Sequence, residues 1–192
     1  WSEKYLGDKE FIDLFRYTVD YIRNDCGIRN LLFSYSPNGK IESIDEYMNR
    51  YPGDDYVDIM GLDYYCDKPA SNTEFDTKFV ESLEWVAKCA KRCGKIYALT
   101  ETGVRVLDES ADGRYYEGLA PQDNPNKEWF TDLLKLLKSN SSTRGIAYVL
   151  FWANFSDQQF WLPYIKEDFK HEMVDNFMKF VEDETIVLAG EA

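Results

Sequence analysis

A single histidine, His171, stands among 192 residues, and no apolar run approaches the ~20 residues of a membrane-spanning helix. The first scarcity works against Ser–His and Cys–His nucleophilic sites. It also works against zinc, because Cys26, Cys66, Cys89 and Cys93 have no histidine nearby in sequence. Cys89 and Cys93, four apart on an expected helix, read as structural thiols; an even cysteine count permits disulfides without establishing them. There is no Gly-x-Gly-x-x-Gly and no phosphate loop, so a nucleotide-binding doubly wound sheet lacks its signature. No metal and no cofactor is expected. Bases are also short: 22 against 35 acids, for a net charge of −13. That field repels phosphate backbones and anionic membranes and argues against nucleic acid as a partner, whereas a neutral substrate fits it. No leader is visible, but the chain opens on Trp1 rather than Met, so this excludes nothing.

Aromatics are abundant: 14 Tyr, 12 Phe and 5 Trp. Most such rings serve a core, but the excess also suits proteins that stack sugar rings on flat side chains. With 44% hydrophobic residues, positions 1–192 are read as one domain able to bury its own core.

The pattern predicts a helix from Asp8, as N-cap, carrying Phe11, Leu14, Phe15, Val19 and Ile22. A strand over 30–36, a short helix over 43–49 and a strand over 56–63 follow. Next come a long amphipathic helix over 75–93, with Phe79, Leu83, Val86 and Ala90 inward, and a strand from Lys95 ending at Glu101. Residues 104–126 read as a polar loop, long enough to be functional. A helix over 129–138, a strand over 145–153 and a helix over 167–182, with Phe169, Met173, Phe177 and Phe180 as its stripe, complete the chain. Strands alternating with helices predict parallel pairing through right-handed crossovers. A closed (β/α)8 barrel uses eight strands and typically about 250 residues. Four are visible, so the fold class is α/β, of the TIM-barrel type, with only the C-terminal half present.

In such a fold the C-terminal ends of the strands meet at one mouth. The first strand offers Tyr35, Ser36 and Asn38, the second Asp63 and Tyr65, the third Glu101, and the fourth Trp152 and Asn154. A buried acid is costly unless paired or used, so Glu101 at a strand's end marks a site. A carboxylate, a tyrosine and a tryptophan suit glycoside hydrolysis. The retaining form uses a carboxylate nucleophile and a second acid about 5–5.5 Å away. A tyrosine hydroxyl can hold the nucleophile in its ionised form, and a tryptophan can floor the sugar ring. Glu109, Asp112 and Glu117 lie in the loop after Glu101, where acids are usually solvated. His171 reads as a surface or packing residue at the edge of the last helix.

The stretch Arg50-Tyr51-Pro52-Gly53-Asp54-Asp55-Tyr56-Val57-Asp58-Ile59-Met60-Gly61-Leu62-Asp63-Tyr64-Tyr65 resembles a signature of glycoside hydrolase family 26. So do Phe33-Ser34-Tyr35-Ser36-Pro37-Asn38, Ala98-Leu99-Thr100-Glu101-Thr102-Gly103 and Leu150-Phe151-Trp152-Ala153-Asn154, in order and approximate spacing. The family is chiefly retaining endo-β-1,4-mannanases on an eight-stranded barrel. By that resemblance Glu101 matches the nucleophile on the seventh strand and Tyr65 the tyrosine that hydrogen-bonds it. Asp63 and Trp152 match residues around the sugar to be cleaved. Tyr35, Asn154 and Trp1 are further candidates for substrate contact, Trp1 as the tail of the aromatic cluster that follows the family's acid/base glutamate. That glutamate would then lie upstream of this chain, and the isolated chain is expected to be inactive. Ala153 departs from the arginine that many members carry there.

The resemblance implies β-mannan or a related polysaccharide as partner, together with the missing N-terminal half of the barrel. It also implies a secreted, periplasmic or cell-surface location. Alternatives are a β-1,3-xylanase, a mixed-linkage β-glucanase, or a non-catalytic carbohydrate-binding half-barrel.

Overall fold

Gly94 decides where the longest helix stops. Its φ of +65° is a left-handed conformation costly for side chains with a Cβ, and its amide closes onto the carbonyls of Ala90 and Lys91. The helix it ends, Phe75–Cys93, buries Phe79, Leu83, Val86 and Ala90 completely, the stripe that the apolar spacing predicts. Truncating Leu83 to alanine would cost about 2–5 kcal/mol, as for other well-packed leucines.

The computed structural model describes residues 2–106, 108–109 and 115–189. The elements run α1 (Ser2–Tyr5), α2 (Asp8–Asp20, continued by a π turn over Tyr21–Asp25), β1 (Ser34–Tyr35), α3 (Ile44–Met48), β2 (Ile59–Asp67), α4 (Phe75–Cys93) and β3 (Ile96–Arg105). Then follow β4 (Asp108–Glu109), β5 (Tyr115–Tyr116), α5 (Trp129–Leu137), α6 (Ser141–Arg144), β6 (Val149–Phe151), β7 (Ile165–Lys166), β8 (Phe169–Lys170) and α7 (Val174–Val181). The main sheet is parallel in the order β1-β2-β3-β6, each strand beside the one that precedes it in the sheet. The two short antiparallel pairs, β4 with β5 and β7 with β8, stand apart from it.

One face of the sheet is covered by helices. Tyr64 on β2 meets Phe75 and Phe79 of α4, and Phe151 on β6 meets Phe130 of α5 and Phe177 and Phe180 of α7. Tyr47 of α3 is fully buried, and its hydroxyl is satisfied by donating to the carbonyl of Gly61 at 2.9 Å. Ser43 caps α3, its side chain accepting from the amide of Glu46.

Several expectations are corrected. Gly7, not Asp8, precedes the first long helix, and the Asp8 carboxylate instead holds Arg50 and Asn49. Leu14 is half exposed rather than core. β1 shrinks to two residues, while β2 and β3 run on to Asp67 and Arg105, past the Asp63 and Glu101 where alternation and turn residues end them on paper. Phe169 belongs to a hairpin rather than to the last helix, which starts only at Val174.

Candidate active site

Between Leu62 and Asp63 of β2 the partner on β3 jumps from Leu99 to Glu101. On the other side, Leu99 faces Val149 but Thr102 faces Phe151. β3 therefore carries one residue more than either neighbour at this point, a β-bulge, and bulges re-aim side chains. Tyr97 and Leu99 lie on the helix side, where the Tyr97 hydroxyl donates to the Ser142 carbonyl of α6. Strict alternation would send Glu101 the same way. With the bulge, Thr100 and Glu101 both reach the opposite face. Thr100 Oγ1 donates to Asp63 Oδ1 at 2.8 Å, and the Tyr65 hydroxyl donates to Glu101 Oε2 at 2.9 Å.

Gly61 makes room for this layer: a Cβ there would fall 2.1 Å from Ser36 Oγ and 2.5 Å from Thr100 Oγ1. Burial pushes the Asp63 carboxyl up to about 7, with the charge of Glu101 adding and the Thr100 hydroxyl opposing. Burial also drives the Tyr65 phenol far above its ordinary range, and its bond to Glu101 adds to this. The phenol therefore stays protonated and remains a donor.

Tyr65, Glu101, Trp152 and Asn38 line a hollow of about 250 Å³. Five further residues of its wall were not foreseen from sequence: Arg105, Glu117 (weighed only as a loop acid), Phe155, Gln159 and Trp161. Trp161 is 4% exposed, meets Trp152 edge-on with ring centres 6.5 Å apart, and leans on Gly103, where a Cβ would stand 2.5 Å from its Cδ1. Its indole N–H is buried without a partner among the described residues. The glycine at 103 was the one available signal, since a glycine within a strand marks a close approach. Glu117 accepts from Gln159 Nε2 at 2.8 Å, which fixes its carboxylate on the rim.

Two expected contact residues are placed elsewhere. Tyr35 turns into the core, 5% exposed, with its hydroxyl donating to the Tyr47 carbonyl and its ring edge-on to Tyr47 and Tyr51. It does not line the hollow, because at its position alternation points toward α3. Asn154 is spent on backbone: its Oδ1 accepts from the amides of Trp161 and Leu162, and its Nδ2 donates to the Leu162 carbonyl. It holds the Trp161 loop instead of facing the hollow. Trp1 and Asp112 lie outside the described residues, and only the backbone of Glu109 is described.

His171 is fully buried: its Nε2 lies 2.8 Å from the Ala120 carbonyl, while its Nδ1 accepts from the Met173 amide. Burial lowers its pKa, so it is a neutral packing residue, but off the helix where the sequence placed it. The four cysteines are free thiols.

A carboxylate held by a phenol beneath an indole pair is an arrangement suited to attack on a sugar. The family model of glycosyl hydrolase family 26 matches residues 1–107, more than half of the chain. The chain belongs to that family. A mannan endo-1,4-beta-mannosidase of Bifidobacterium adolescentis is 33% identical over 159 residues, which are 81% of this chain and 15% of that protein. The catalytic domain of a family 26 endo-beta-1,4-mannanase from Bacillus sp. JAMB-750 superposes with a TM-score of 0.85 at 33% identity, covering 98% of this chain and 47% of its own. A modular endo-beta-1,4-mannanase from Cellulomonas fimi gives 0.79 at 29%, covering 98% and 38%. This family 26 chain thus spans less than half the length of these relatives. Its four parallel βα units are part of a (β/α)8 barrel.

Proposed function

We propose that this chain is the nucleophile-bearing half of a retaining glycoside hydrolase whose complete form is an endo-β-1,4-mannanase. The observation that carries the reading is the 2.9 Å hydrogen bond from Tyr65 to Glu101 inside a hollow walled by Trp152. The phenol uses one lone pair of one carboxylate oxygen and leaves the other oxygen for attack. A bond would form from Glu101 to the anomeric carbon as the bond to the leaving oxygen breaks. An acid/base glutamate outside this chain would deliver the proton, and water would then release the sugar with net retention. Trp152 and Trp161, set edge-on to each other, give the ring an apolar wall, and Asp63, whose carboxyl is about half protonated near neutral pH, can donate to a sugar hydroxyl in its protonated form. The names of the relatives favour mannan as substrate. A polysaccharide substrate supports a secreted, periplasmic or cell-surface location for the parent as part of this proposal.

The test joins this chain to the remaining half of a family 26 barrel and assays mannan, glucomannan, xylan and mixed-linkage glucan. Mannan should be cleaved with retention, and Glu101→Ala should lower turnover by several orders of magnitude. Near-normal rates in that variant would remove Glu101 from the nucleophile role. Cleavage of xylan or mixed-linkage glucan alone would change the substrate. The isolated chain is expected to yield no product.

A second reading has its own observation: Phe155, 63% exposed beside Trp152, offers a sugar-stacking surface that needs no acid/base. Binding of mannan oligosaccharides without turnover in the completed barrel would favour it.

A further inference from the structure

Arg105 closes β3 directly opposite Asp67, which closes β2. Its Nε and Nη2 donate to Oδ1 and Oδ2 of Asp67 at 2.5 and 2.8 Å. A two-pronged pair of this kind fixes the plane of the guanidinium as well as its position. The same group lies over the ring of Tyr65, with Cζ 4.4 Å from the ring centre. Backbone pairing explains how. Gly103 stands across from Tyr65 and contributes no side chain of its own, and Arg105 reaches back over the phenol from the diagonal position. Asp67 therefore anchors a cation on the face of the residue whose hydroxyl holds Glu101.

We propose that Arg105 is a positioning residue for the hydrolytic reaction: clamped by Asp67, it fixes the Tyr65 ring so that the phenol meets Glu101 in the attacking geometry. The inference rests on the reading of Glu101 given above. A planar guanidinium can pair with a carboxylate through its edge while stacking through its face; a lysine ammonium cannot do both. The ring quadrupole attracts the cation. A positive charge beside the phenol also makes its O–H a stronger donor to the carboxylate. Arg105 lines the hollow as well, so the competing role is a direct contact to sugar, and kinetics separates the two. A positioning residue acts on turnover and acts through Tyr65. A sugar contact acts mainly on KM and is independent of Tyr65.

The experiment compares Arg105→Ala, Arg105→Lys, Tyr65→Phe and the Arg105→Ala/Tyr65→Phe double variant in the completed barrel, with mannan oligosaccharides as substrate. Arg105→Ala should lower kcat about 10²-fold with KM within a few-fold, the scale expected of a small misplacement of the reacting groups. Arg105→Lys should recover little of this. In the Tyr65→Phe background, removing Arg105 should cost nothing further. A raised KM with kcat retained, or full additivity in the double variant, overturns the proposal.

A readout independent of catalysis uses the completed barrel with 13C-labelled tyrosine, the Tyr65 ring signal being assigned by its loss in Tyr65→Phe. That signal should shift and sharpen toward free ring rotation in Arg105→Ala, with the remaining tyrosine signals in place to show that the fold is intact. An unmoved Tyr65 signal overturns the proposal. A wild-type barrel that hydrolyses nothing would count against the proposed function, while the ring signal would still decide the role of Arg105.

Discussion

Thr100 and Glu101, neighbours in sequence, present their side chains to the same face of the sheet, one to Asp63 and the other to Tyr65. Regular strands forbid this, because successive side chains alternate. The extra residue of β3 permits it; the same residues in unbroken alternation would carry the carboxylate of Glu101 round to the aromatic packing of α4 and α5.

Deleting Thr100 is therefore expected to do more than lose one hydroxyl. It lets Leu99 and Glu101 pair in unbroken register with Leu62 and Asp63, which keeps Glu101 on the site face but straightens the strand and removes the hydroxyl that holds Asp63. Thermal unfolding of the deletion should stay cooperative with a lowered midpoint; loss of the cooperative transition would show that the bulge itself is required for the fold. Thr100→Val, which keeps the residue count, should unfold within a few degrees of the parent.

The buried carboxyl of Asp63 sets a pH dependence with a definite sign. Its folded pKa of about 7 lies above the ordinary 3.8, so between those values the folded chain binds more protons than the unfolded one. Stability therefore falls as pH rises through that window, the reverse of a salt-bridged acid. Unfolding midpoints measured from pH 4 to 8 should decline for the parent relative to Asp63→Asn, whose amide has no proton to lose. Parallel curves would show that Asp63 titrates normally.

Gly103→Ala tests the close approach of Trp161. A methyl group placed 2.5 Å from Cδ1 must push the indole aside. Overpacking of this sort typically costs about 1–3 kcal/mol. Tryptophan fluorescence should change, and mannan-oligosaccharide affinity should drop because the wall of the hollow has moved. An unchanged spectrum would mean that Trp161 is not seated there.

Asn154→Ala should act on the same wall from the other side. It leaves the amides of Trp161 and Leu162 without their acceptor, a loss of about 1–3 kcal/mol where such groups are buried. The loop should become sensitive to proteolysis near residues 154–162, while the helix over 75–93 stays protected.

How much of this was legible in the residues follows from which physical rule governs each part. The Phe75–Cys93 helix, with its stripe and glycine stop, was readable because a 3.6-residue period and a left-handed terminus both leave local marks. Glu101, Tyr65 and Trp152 were readable as strand-end residues and through the family resemblance. That Glu101 faces Tyr65 at all depends on a bulge, and nothing in Leu99-Thr100-Glu101-Thr102 announces one. Arg105 is hidden in the sequence because turn residues end β3 on paper at Glu101, four residues before the strand's actual end. Trp161 arrives from a non-periodic segment through Asn154, Gly103 and Gly118, contacts distant in sequence. Tyr35 was misplaced for a related reason: when only two residues of a strand pair, its register is hard to read, and register alone decides which face a ring takes.

β2 and β3 are paired from Ile59 opposite Ile96 to Asp67 opposite Arg105, whereas β3 and the segment of β6 are joined over a shorter stretch, from Tyr97 beside Ala147 to Thr102 beside Trp152. The two halves of the sugar cradle are thus tied down unequally. The acid and its phenol sit on a long double plank, and the indole of Trp152 is fastened by the shorter seam. Amides beneath the plank should exchange with deuterium slowly and those of β6 quickly, so a guest sugar would close the cradle from the Trp152 side.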